Sequence, residues 1–73
     1  MNKEKEFKQF LCDNVTGGDN SCALFTNEND EYFFVEKHKV NDDWIFLING
    51  HFYFDHLQDF YGHQWKKIYA RIK

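Results

Sequence analysis

The stretch WIFLINGHFYF, residues 44–54, consists of two apolar runs separated by Asn49-Gly50. An Asn-Gly pair between two such runs is the strongest short-range signal for a β-hairpin. We therefore predict one strand on each side of a two-residue turn. A turn of this length also fixes the register, and it places Leu47 opposite Phe52.

Alternation of side chains gives this hairpin two apolar faces. We expect the first face to be buried under the helices, and it carries Ile45, Leu47, Phe52 and Phe54. The second face combines apolar bulk with polar tips, and it carries Trp44, Phe46, Ile48, His51 and Tyr53. Two short helices cover only one side of a four-stranded sheet unless one lies on each side. We therefore expect the second face to be sealed by a helix of the same chain or to meet another chain. Stacking of nucleobases on its aromatic rings is the third alternative, and the acidic net charge disfavours it.

The remaining segments alternate helical and extended patterns. Asn2 is a candidate N-cap for a helix over residues 3–15, and a short apolar strand is expected at 22–26. A second strand is expected to begin at Tyr32 and either to end at Val35 or to continue to Val40. A second helix is expected from His56 to about Ile72, where apolar residues recur at helical spacing. The fold predicted for residues 1–73 is a single α+β domain. It has two layers, with an N-terminal helix, an antiparallel meander of three to four strands and a C-terminal helix.

Composition narrows the range of partners. The chain has 73 residues and a formal net charge of −3, which argues against direct nucleic-acid binding. No apolar run is long enough to span a membrane, and the N-terminus is charged where a signal peptide is apolar. We expect a cytoplasmic protein with reduced thiols at Cys12 and Cys22, although a disulfide or a metal pair is the alternative for these two residues.

Candidate chemical motifs are weak. His56, Asp59 and His63 share one face of the expected C-terminal helix and could hold a divalent metal, but the face also suits plain solvation. The stretch TGGDNS lacks the lysine of a P-loop and fits a helix cap followed by a turn. No nucleophile has a base at a diagnostic spacing. We predict no catalytic residue, no cofactor and no bound metal.

These patterns predict a small non-enzymatic protein-binding module, an inhibitor or adaptor, that acts through the second hairpin face. An acidic rim would steer a basic partner protein, and it is formed by Glu28, Asp30, Glu31, Asp42 and Asp43. In size and character the chain resembles the accessory proteins with which phages and mobile elements block host machinery, anti-CRISPR proteins among them. The alternative is a homodimer or higher oligomer that binds a small anionic ligand at the subunit interface, through His51, the aromatic residues and Gly17-Gly18.

Overall fold

A computed structural model describes residues 2–73 as two short α-helices, one 3-10 helix and five β-strands. In chain order the elements are α1 (Lys3–Asn14), β1 (Cys22–Thr26), β2 (Tyr32–Val40), β3 (Asp43–Ile48), β4 (His51–Phe52), a 3-10 helix (Tyr53–His56), α2 (Leu57–Phe60) and β5 (Lys66–Arg71). The strands form one antiparallel sheet in the order β4-β3-β2-β1-β5. The predicted α+β class, with its N-terminal helix, meander and C-terminal helix, is confirmed.

Helix α1 begins where the sequence predicts. The side-chain oxygen of Asn2 accepts hydrogen bonds from the backbone N–H groups of Glu4 and Lys5, at 3.0 and 3.3 Å. These bonds satisfy donors that the first helical turn leaves unpaired. The helix buries a stripe that consists of Phe7, Leu11 and, at its end, Val15. This stripe lies on one face of the sheet and forms the core with it.

Strand β2 also anchors the end of α1, through a buried lysine. The Lys37 ammonium donates to the carbonyl oxygens of Val15 and Gly17, at 3.0 and 3.1 Å, and lies 4.3 Å from the centre of the Trp44 ring. A cation at a helix C-terminus is favourable because the last carbonyl groups are unpaired and carry partial negative charge. Lys37 thus fixes α1 against the sheet.

The C-terminal segment departs from the prediction. The expected helix from His56 to about Ile72 is present only at Leu57–Phe60, and residues 66–71 form β5 instead. Gly62 has a φ of +82°, outside the helical range. Beyond it, Trp65 enters the core and stacks on Phe33 at 4.3 Å. Pairing with β5 satisfies the free edge of β1, which a helix would have left open.

Within residues 2–73 neither α-helix has the length and apolarity needed to cross a lipid bilayer.

Candidate functional site

The hairpin has the turn and register that the sequence predicts. Asn49 and Gly50 have φ values of +51° and +84°, as in a type I′ turn, and Leu47 pairs with Phe52. The Asn49 side chain also ties the turn to β2, since its oxygen accepts from the backbone N–H of Phe34 at 2.9 Å and its NH₂ group donates to the Tyr32 carbonyl at 3.2 Å. The hairpin is therefore held at its tip as well as along its strands.

The expected orientation of the hairpin is wrong. Phe46 and Ile48 are fully buried in the core that Phe7 and Leu11 of α1 also form, and Tyr53 is 9% exposed. The reason lies in β2, where Glu36 pairs with Leu47 and His38 pairs with Ile45. Burying the Leu47 face would also bury a carboxylate and an imidazole, which is costly without buried partners. The Phe46 face instead brings Val35 and a single charged residue, Lys37, whose ammonium bonds two backbone carbonyls.

Tyr53 lies on the same buried side as Phe46 and Ile48, although β4 ends before it. The strand was expected to continue to Phe54, but it stops at Phe52, and the 3-10 helix turns the Tyr53 ring under the sheet. That ring meets Phe7 and Phe46 edge-on, with centroids 5.8 and 6.4 Å apart. Burial, with the neighbouring Glu4 carboxylate, raises the pKa of the Tyr53 phenol. Phe46, Ile48 and Tyr53 are thus core residues and cannot meet a partner.

The other two members of the predicted binding face remain near the surface. Trp44 is half-buried, and its ring is covered by the ammonium groups of Lys37 and Lys39 at 4.3 and 5.3 Å. His51 is exposed on the edge strand β4, with its ring centre 6.3 Å from that of His56. These residues lie apart from each other and form no shared surface.

The exposed surface of the hairpin is the face that we expected to be buried. We call it the hairpin patch, and it consists of Ile45, Leu47, Phe52 and Phe54. Phe52 and Phe54 are 48% and 44% exposed, and their rings stack 5.3 Å apart. No helix or strand among residues 2–73 covers this side of the sheet. Phe52 is on β4 and Phe54 is in the 3-10 helix that follows it. Large apolar side chains exposed together are typical of an interaction surface.

Most carboxylates of the predicted acidic rim have partners within the chain. Glu28 accepts from the His63 ring and the Gln64 backbone N–H, at 2.6 and 3.0 Å. The Gln64 bond, with help from His63, lowers the pKa of Glu28 to about 2. Asp43 pairs with the Lys8 ammonium at 3.1 Å, which lowers its pKa, and Glu31 accepts from Asn27.

The remaining two acidic residues, Asp30 and Asp42, are exposed in turns with positive φ values of 58° and 63°. Aspartate tolerates this conformation better than most residues. Their positions are explained by turn geometry, and their carboxylates remain available to a partner.

The histidines of the possible metal motif face different carboxylates. His56 contacts Asp59 at 2.9 Å, whereas His63 contacts Glu28. Within residues 2–73 no three His, Cys, Asp or Glu side chains converge as metal ligands would. A small cleft of about 270 Å³ lies beside the Glu28–His63 pair, and it is lined by Thr26, Asn27, Glu28, Gln64, Trp65 and Lys66.

The glycines of the alternative ligand site make hydrogen bonds within the chain. The Gly18 N–H donates to the Lys73 carbonyl at 2.9 Å, beyond the end of β5. His51 is on β4, at the opposite edge of the sheet. Within one chain, therefore, Gly18 and His51 lie at opposite edges of the sheet.

Comparisons of the chain with protein-family models, with curated proteins and with solved structures found no match.

Proposed function

We propose that the chain is a small non-enzymatic protein-binding module that acts through the hairpin patch. The observation that supports the proposal is the pair of stacked, half-exposed rings of Phe52 and Phe54, which lies on a sheet face without a covering layer. Aromatic and aliphatic side chains of this kind supply the centres of protein interfaces. The narrower role is that of an inhibitor or adaptor, of the type that phages and mobile elements direct at host proteins.

The patch is suited to binding because it is rigid before a partner arrives. Leu47 pairs with Phe52 across the hairpin, and the Asn49 side chain fastens the turn to β2. A surface that is already ordered loses little conformational entropy on association. The four side chains of the patch carry no charge, so the centre of the partner surface should be apolar.

Charge favours a partner with basic groups around that apolar centre. The chain has a net charge of −3, and Asp30 and Asp42 project from turns at its surface. Such charges act mainly on the rate of encounter and on partner selection, and less on the final affinity. We therefore expect association to slow as ionic strength rises.

The proposal is tested by capture of partners with three forms of the protein as bait. Phe52→Glu places a charge in the hairpin patch, where Phe52 is 48% exposed, whereas Ile72→Glu changes an apolar residue that is 64% exposed beyond the end of β5. We expect partners held by the wild type and by Ile72→Glu to be lost with Phe52→Glu. Loss of a central aromatic anchor weakens binding by roughly 30-fold or more. Partners that bind all three baits equally would contradict the proposal.

A further inference from the structure

The open face of the sheet has a second half, away from the hairpin patch, that is arranged symmetrically about β1. Cross-strand pairing places Glu36 of β2 and Arg71 of β5 on the two sides of Cys22. Neighbouring strands lie ~4.8 Å apart, so the two charged residues stand on strands ~10 Å apart. Glu36 lies 3.5 Å from the His38 ring. Within residues 2–73 no ion pair involves Arg71.

The two neighbouring rows repeat this arrangement, with an irregularity in the β1–β5 pairing between them. In the next row Phe34 and Tyr69 flank Leu24, and the two rings are 41% and 56% exposed. In the row after it, Tyr32 and Lys66 flank Thr26. Phe34 and Tyr69 are both aromatic, and Tyr32 and Lys66 are a ring and a cation. Each combination is favourable when the two side chains meet. In all three rows, the residue on one side of β1 complements the residue on the other side.

We propose that two copies of the chain associate through this half of the face, about a two-fold axis that runs parallel to β1. Such an axis exchanges the positions of β2 and β5 between the copies. Glu36 of each copy then lies opposite Arg71 of the other, and Phe34 lies opposite Tyr69. The contact is isologous, because the same surface serves both copies. Residues of β1, such as Cys22, meet their own counterparts.

The local charge permits this contact although the chain as a whole is acidic. Three of the residues in these rows are charged, namely Glu36, Lys66 and Arg71, so this surface is slightly basic on a chain with a net charge of −3. Two copies therefore do not repel each other through it. The overlap spans β2, β1 and β5, three of the five strands, so the contact buries less than the ~800 Å² of a standard interface on each partner, and we expect a weak dimer. Strands β3 and β4 lie outside the overlap, and the hairpin patch remains free.

Exchange of the two charges tests the proposed register. Glu36→Arg and Arg71→Glu each place like charges opposite each other at both symmetry-related positions, and we expect dimerisation to weaken about tenfold or more. The double variant Glu36→Arg/Arg71→Glu restores opposite charges and should dimerise as the wild type does. Lys5→Glu, an exposed change on α1, is the control. Sedimentation velocity over a concentration series measures association, and circular dichroism measures folding.

Cross-linking tests whether β1 lies at the axis. Packed sheets are ~10 Å apart, so a short bismaleimide should link Cys22 to its counterpart. We expect covalent dimers from the wild type and from Cys12→Ser, and none from Cys22→Ser. Phe52→Glu should still dimerise, so failure of this proposal and failure of the hairpin patch as a partner site are distinguishable. A wild type that stays monomeric to millimolar concentration, or a double variant that does not recover association, would overturn the proposal.

Discussion

At the scale of residues, the alternation along β2 decides which face of the hairpin is buried, because Glu36 and His38 lie on one side and Val35 and the backbone-bonded Lys37 lie on the other. Both hairpin faces are apolar, so the residues 44–54 alone do not distinguish them. The distinction requires the register between β2 and β3, which is set by a second two-residue turn at Asn41-Asp42, both with positive φ. The sequence therefore contains the information that sets the orientation, but this information is distributed over β2 and β3. The hairpin residues alone predict the wrong face.

A buried lysine provides a test at this scale. Lys37→Met keeps the length of the side chain but removes the hydrogen bonds to the Val15 and Gly17 carbonyls. Bonds to charged groups contribute ~1.5–3 kcal/mol, and we expect the free energy of unfolding to fall by about that amount. Lys39→Met is the matched control, because Lys39 also lies over Trp44 but is exposed, and it should change stability by less than ~0.5 kcal/mol. Urea unfolding measures both, and equal effects would contradict the anchoring role.

Glu28 provides a test by pH. Its pKa is lowered in the folded protein, from an ordinary 4.5 to about 2, so its ionised form stabilises the fold above about pH 4.5. This contribution is lost as the pH falls from 4.5 towards 2. We expect the wild type to melt higher than Glu28→Gln at pH 7, and the two melting temperatures to converge near pH 2. Asp30→Asn, on the same turn, should melt like the wild type throughout, and a constant gap between wild type and Glu28→Gln would contradict the assignment.

At the scale of elements, local signals were sufficient for α1 and the hairpin but not for β5. The Asn2 cap and the apolar spacing of α1 are readable within a few residues, as is the Asn49-Gly50 turn. The C-terminal segment has apolar residues at helical spacing, yet it forms a strand because β1 has a free edge 40 to 49 residues earlier in the chain. Strand pairing over that distance has no local signature, so helical periodicity gave the wrong element for residues 66–71.

The hairpin turn is tested by Gly50→Ala. Its φ of +84° strains any residue with a Cβ, although no atom lies within 4 Å of that position. We expect a loss of ~1–2 kcal/mol of stability from backbone strain alone. Gly18→Ala is the control, since Gly18 is not in the left-handed region and its added Cβ would make only an ordinary contact, at 3.4 Å. Equal melting of the two variants would show that the turn is not type I′.

At the scale of the whole molecule, a chain of this length forms two layers and leaves one side of its sheet open. Helix α1, α2 and the 3-10 helix pack on the face that carries Phe46 and Ile48. The opposite face keeps exposed aromatic side chains, and both the proposed partner site and the proposed dimer contact lie on it. The sequence alone predicts that one apolar face of the sheet lacks a covering layer. Which residues form that face is known only from the structure.

The most direct test of this account compares Phe46→Ala with Phe52→Ala by thermal and urea unfolding. Phe46 is fully buried, and its loss should cost ~3–5 kcal/mol, which is close to the whole stability expected of so small a core. Phe52 is 48% exposed on the open face, and its loss should cost about 1 kcal/mol or less. A folded Phe52→Ala beside a largely unfolded Phe46→Ala is the expected result. The reverse order of stability would show that the hairpin patch is buried and that the proposed binding surface does not exist.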